Sequence, residues 1–141
     1  MASMIRPPAG GADCPDPSDL LNIELVQDRD VAVVTAHGEI DLYTAPLLDS
    51  ALREAIDGDA ELVVVDLSDV TFMASSGLTA LLSALDRARQ QRCELRLAGG
   101  GRAVQRPLQA AGLEDHFEHF SSASEARSQR RRADRYENQV G

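Results

Sequence analysis

A chain of 141 residues, 43% of them hydrophobic, suits one domain with a real core, and 4% aromatic content makes that core aliphatic. A formal charge of −9 excludes a nucleic-acid-binding body, which needs clustered cations to neutralise phosphates. No apolar run approaches the ~18 residues of a membrane span and no apolar stretch near the start reads as a secretory signal, so a cytoplasmic protein is expected.

Residues 1–21 are rich in Pro, Gly, Asp and Ser and read as a disordered arm. Cys14 lies in it; Cys14 and Cys93 fit no metal spacing and are expected as free thiols. Residues 22–26 and 31–36 are short β-prone runs around the polar turn Gln27-Asp28-Arg29-Asp30, a predicted hairpin. A loop or short extended segment follows at 37–43. Thr44 is a candidate N-cap with Pro46 in the first helical turn. Leu48, Ala51, Leu52 and Ala55 then share a helix face that stops at Gly58. Leu62-Val63-Val64-Val65-Asp66-Leu67 reads as a buried strand.

The stretch Val70-Thr71-Phe72-Met73-Ala74-Ser75-Ser76-Gly77-Leu78 carries two hydroxyls from strand into helix. Leu78, Leu81, Leu82 and Leu85 form one apolar stripe, on a helix expected to run to about residue 91. Ser75 and Ser76 therefore fall where an N-cap is expected, beside unpaired N–H groups and the positive end of the helix dipole. One serine suffices as a cap, which leaves the other hydroxyl for a second role.

Residues 94–98 predict another strand, broken by Gly99-Gly100-Gly101. Val104, Leu108 and Ala111 signal a third helix ending at Gly112-Leu113, which Pro107 should either kink or delay. Residues 116–120 read as a short last strand. Residues 121–130 look helical, with Ser122 or Ser124 as cap. They fade into a tail with Arg127, Arg130, Arg131, Arg132 and Arg135, expected as a solvated disordered end or a contact for an acidic surface.

The alternation predicts an α/β fold: a mixed sheet of about five strands, hairpin first and parallel strands after, covered by about four helices. The domain boundaries expected are a disordered arm at 1–21, the domain at 22–123, and an arginine-rich helical or disordered tail at 124–141. Catalysis finds no support. The serines lack a Gly-x-Ser-x-Gly elbow, His37 adjoins a turn, and His116 and His119 would point to opposite faces of a strand. The glycine triplet lacks the Lys-Ser/Thr of a phosphate loop. No enzyme, cofactor or metal is expected.

Gly38-Glu39-Ile40-Asp41, Thr44-Ala45-Pro46, Asp66-Leu67-Ser68 and Phe72 to Leu78 together resemble bacterial anti-sigma factor antagonists of the STAS domain family, as does Val104 to Leu113. The resemblance spans roughly residues 22–123. It implies a STAS-like fold and a protein that binds an anti-sigma factor acting also as a serine kinase, releasing a sigma factor for transcription in a bacterial stress response. Phosphorylation by that kinase switches the antagonist off, and a phosphatase resets it. The family pattern Asp-Ser-[Ser/Thr]-Gly, carried over, makes Ser75 the phosphoacceptor with Ser76 as runner-up. Ala74 stands where the family has its acid, with Asp41 and Asp66 as candidate replacements. The partner-binding set would be Asp41, Thr44, Met73, Ala74, Ser76, Gly77 and Thr79, within a surface of the loop at 38–44, the junction, and the helix face of Thr79, Ser83, Asp86 and Arg87. The free protein is expected as a monomer, without nucleic-acid or membrane partners. The alternative is a phosphorylation-independent interaction or scaffold module, redox-controlled through the cysteines or associated with a transporter.

Overall fold

The computed structural model describes residues 16–129, so the expectations for the arm up to residue 15, with Cys14, and for the arginines from Arg130 onward lie outside the described residues. The elements run α1 (Pro17–Leu20), β1 (Leu21–Asp28), β2 (Val31–Ile40), α2 (Ala45–Asp57), β3 (Leu62–Met73), α3 (Ser75–Gln90), β4 (Glu94–Ala98), α4 (Gly101–Ala110), a 3-10 turn (Glu114–His116), β5 (Glu118–Phe120) and α5 (Ala123–Ser128). The sheet order is β1-β2-β3-β4-β5; β1 is antiparallel to β2, and each later pair is parallel.

The predicted mixed sheet is what forms, with differences at its joints. The hairpin strands are longer than their apolar runs, and Asp28 pairs with Val31 across a two-residue turn in which Arg29 takes φ 60°. Residues 37–40, expected as a loop or short extended segment, take the extended form and continue β2. A short helix, α1, precedes β1, capped by Asp16 accepting from the Ser18 amide, so the helices number five among the described residues rather than four. Of the two expectations for the third predicted helix, a delayed start does not occur: it runs from Gly101 to Ala110 with Pro107 inside it. Of its two candidate caps, α5 uses Ser122, whose hydroxyl accepts from the Glu125 amide at 3.1 Å.

Side chains alternate along a strand, so each strand feeds two faces. Ala32, Val34 and Ala36 of β2 and Val63, Val65 and Leu67 of β3 pack with Leu48 and Leu52 of α2, Leu81 of α3 and Leu108 of α4. On the reverse face Leu62, Val64 and Ala98 meet Ala126 of α5. That second cover explains why β3 begins as an unbroken apolar run, as buried parallel strands do.

Arg96 of β4 points into this second layer with none of its side chain exposed. Its guanidinium donates to the Ala126 and Gln129 carbonyls at 2.6 and 3.0 Å, pairs with Glu94 and Glu118 at 3.3 and 3.2 Å, and lies 5.5 Å from the Phe120 ring centroid. One buried cation thus fastens α5 to the sheet.

Candidate functional site

The β3–α3 junction and the β2–α2 loop meet at one end of the sheet. Ile40 pairs with Met73, and the Ala74 amide donates to the Ile40 carbonyl at 2.8 Å, so the turn into α3 is pinned to the end of β2. This hydrogen bond fixes the helix start one residue before the serines. Ala74, in extended conformation, is the N-cap and offers no side-chain acceptor; Ser75 and Ser76 are the first two helical residues. The expectation that a serine caps α3 is therefore corrected. Ser75 is exposed, and its carbonyl accepts from Thr79 Oγ1 at 3.1 Å. Ser76 Oγ is buried and finds no hydrogen-bond partner. The two hydroxyls are thus unequal: one faces solvent and the other faces inward.

Gly77 is required by a close approach, not by a special dihedral. A Cβ there would stand 2.8 Å from Ile40 Cγ2 and 2.9 Å from Met73 Cγ. Thr44 does not cap α2 with its side chain either. Its hydroxyl turns back into the loop, donating to the Glu39 carbonyl at 2.8 Å and accepting from the Asp41 amide at 2.9 Å. Asp41 Oδ1 closes the same loop by accepting from the Tyr43 and Thr44 amides at 2.9 and 3.0 Å.

The predicted residues thus divide. Thr44, Met73 and Gly77 are buried and shape the site; Thr79 and Ser75 are exposed, and Asp41, Ala74 and Ser76 are half-buried. Along α3, Ser83 and Asp86 are exposed, whereas Arg87 is tied to Asp57 of α2 by two hydrogen bonds of 2.8 and 2.7 Å. Asp66 is not brought to the junction. It sits seven residues before Met73, paired between Thr35 and Ala98, with Oδ1 accepting from the Ser68 amide and hydroxyl at 3.0 and 2.6 Å.

Three further side chains stand exposed at this end, by 83%, 47% and 52%: Leu42 and Tyr43, within the loop already expected in the partner surface, and Phe72, which was missed. They are three of only four large hydrophobics so exposed among the described residues; two lie in the β2–α2 loop and one at the end of β3, and exposed apolar side chains of this kind mark interaction surfaces. The signal was in the sequence: Phe72 precedes the inward-facing Met73, so strand alternation turns it outward.

The histidines form no joint site. His116 lies in the 3-10 turn rather than a strand, His119 Nε2 is 2.7 Å from the Gly99 carbonyl, and His37 Nδ1 is 2.8 Å from Asp69 Oδ2. Among the described residues no three His, Cys, Asp or Glu side chains gather around a possible metal position. Cys93 is a buried free thiol whose pKa burial pushes up to about 11. No described helix is long and apolar enough to cross a membrane.

A strand-to-helix junction presenting one outward serine, on a five-stranded sheet opened by a hairpin, is the geometry with which known proteins can be compared. The profile of the STAS domain matches residues 22–126. The anti-sigma-F factor antagonist RsfB of Mycobacterium tuberculosis is 33% identical over 108 residues, covering 77% of this chain and 88% of that one. The anti-sigma-B factor antagonist of Listeria monocytogenes is 33% identical over 99 residues, covering 70% and 87%. The crystal structure of an anti-sigma factor antagonist from Mycobacterium paratuberculosis superposes with a TM-score of 0.70 at 29% identity, covering 77% of this chain and 92% of that one. The chain belongs to the STAS domain family, among its anti-sigma factor antagonists.

Proposed function

We propose that this protein binds a serine-kinase anti-sigma factor through the junction end of the sheet, and that phosphorylation of Ser75 by that kinase ends the complex. The observation that carries the reading is the inequality of the two serines: Ser75 is exposed on the first turn of α3, and Ser76 Oγ is buried. Only the outward hydroxyl can enter another protein's active site without opening the helix. There the γ-phosphoryl group of ATP passes to Ser75 Oγ, the hydroxyl gives up its proton, and ADP leaves. Leu42 and Tyr43 of the β2–α2 loop and Phe72 at the end of β3 would supply the apolar part of the contact, and Asp41 and Thr79 its polar part.

The switch follows from charge. A phosphoryl group brings about −1.5 to −2 charges. The α3 N-terminus tolerates them, so the antagonist keeps its fold. In the complex the same dianion would be desolvated against the partner. A buried unpaired charge costs several kcal/mol, and each ~1.4 kcal/mol is tenfold in affinity. A phosphatase would restore binding.

The test incubates the full chain with a purified kinase-type anti-sigma factor and ATP. A mass gain of one phosphate on the Ser75 peptide, absent in Ser75→Ala, is expected, and Ser75→Glu is expected to weaken binding at least tenfold. Modification at Ser76 instead, or equal affinity of wild type and Ser75→Glu, overturns the reading. Ala74 favours a second reading, since the family's acid is missing beside the acceptor. In it the junction binds its partner without being phosphorylated, as a scaffold or transporter-associated module. Tight binding with no mass gain in the same experiment selects it. A redox form of that module finds no support in Cys93, whose buried, high-pKa thiol is a poor nucleophile.

A further inference from the structure

We propose that the arginine-rich segment 130–135 of this chain docks across the acidic open face of the sheet, on β1 and β2 beside α5. Helices α2, α3 and α4 bury one face of the sheet, and among the described residues α5 is the one element over the other, across β3 and β4. On that second face, among the described residues, β1 and β2 carry no covering element. Glu24, Val26 and Asp28 are exposed there, and Val33, Thr35 and His37 are half-buried. An apolar groove of about 660 Å³ lies along the margin, lined by Val26, Val33, Ala123, Ser124, Arg127 and Ser128.

Charge selects the occupant. Glu24, Asp28, Asp66 and Asp69 stand on or beside this face. Among the described residues the cations that meet them are Arg127, 2.7 Å from Asp28, His37, 2.8 Å from Asp69 and 3.9 Å from Glu24, and Arg29, whose charge also reaches Asp28. The face is therefore left with net negative charge when His37 is neutral. Arg127 is also the first arginine of the basic stretch, so the run already has its first member seated on the acidic face.

Ser128 lines the groove, and the described chain leaves α5 there with Gln129 extended, its carbonyl held by Arg96. Arg130, Arg131, Arg132 and Arg135 follow, against Asp134 and Glu137. Twelve further residues reach up to ~40 Å when extended, and neighbouring strands are ~4.8 Å apart, so the edge strand β1 is within range. An isolated exposed ion pair contributes little; several arginines on one patch, joined by the existing Arg127–Asp28 pair, form a network. The contact does not depend on the function proposed for Ser75.

A nitroxide on Gln139→Cys in the full chain, with Cys14→Ser and the buried Cys93 kept, tests the contact by NMR. At low salt, loss of amide signal is expected at Glu24, Val26, Val33 and Thr35, with the amides of α2 unaffected. The loss is expected to recover in about 0.5 M salt, where charges are screened within a few Å, and in the Arg130→Ser/Arg131→Ser/Arg132→Ser variant. Undiminished signal on the open face, equal loss over α2, or loss that survives the triple substitution overturns the proposal. So does loss seen equally when the nitroxide is carried by a second, unlabelled chain, because the contact is then between molecules.

Discussion

Ala74 carries the most consequence of any single residue at the junction. It holds the N-cap of α3 without a side-chain acceptor, so the first-turn amides of a sixteen-residue helix lack the side-chain partner that Asp, Asn or Ser would supply. Ala74→Asp is expected to raise stability by about 1 kcal/mol, read as a higher urea midpoint at unchanged slope. The same carboxylate would stand beside Ser75 Oγ, where the family pattern has its acid, and under the proposed function faster phosphoryl transfer to Ser75 is expected in a timed mass assay. A stabilised variant phosphorylated no faster would leave the acid a capping role alone. A destabilised variant would mean that the Ala74 backbone, held by the Ile40 carbonyl, does not aim its side chain at the amides.

Among the elements, α5 is the one whose attachment depends most on a single side chain, with the Ala126 contact and the exposed Arg127–Asp28 pair beside it. It has six residues and buries only Ala126, far too little to hold an isolated helix. The Arg96 fork satisfies two carbonyls at its C-terminal end and two glutamates at once, which a lysine's point charge cannot match. Arg96→Ala is expected to cost about 3 kcal/mol, at the low end for breaking a buried pair because Glu94 and Glu118 stay partly solvated. Hydrogen exchange should show amides 125–128 losing protection before those of β3. Uniform destabilisation with α5 still protected would contradict the clamp. The sequence could not reveal it. By alternation Glu94-Leu95-Arg96-Leu97 reads as a strand with its polar residues in water, and only the return of α5 over that face buries Arg96. The length of β3 was hidden for a related reason. Asp66, Ser68 and Asp69 look like a strand end, yet β4 stops opposite Asp66, so beyond it β3 pairs with β2 alone and its polar side chains keep access to solvent. The α2 and α3 stripes and the β4 run were legible because helix and strand periodicities need no tertiary context.

At the scale of the whole molecule, the elements of the candidate site were legible, but not which of their side chains face out. The motif named Ser75; which hydroxyl faces out depends on Ala74 being the cap, and the apolar flank depends on how the two loops meet. The layers are joined at the periphery by arginine–carboxylate pairs, Asp57 with Arg87 between α2 and α3, and Asp28 with Arg127 between β1 and α5. Hydrogen bonds from these arginines hold both carboxyls below the usual aspartate range. A depressed folded-state pKa makes the stabilisation complete above the unfolded value of about 3.9 and removes it as pH falls through the lower folded value. Both pairs are exposed, so the contribution is modest and weakened by salt. The melting temperature is therefore expected to hold from neutral pH to about 5 and to drop towards pH 3. In Arg87→Gln, Asp57 regains an ordinary pKa, and the drop should be shallower from a slightly lower plateau. If the variant's acid limb overlays that of the wild type, the Asp57–Arg87 pair does not couple the two helices, and their association rests on the apolar contacts of Leu52 and Leu81 beneath it.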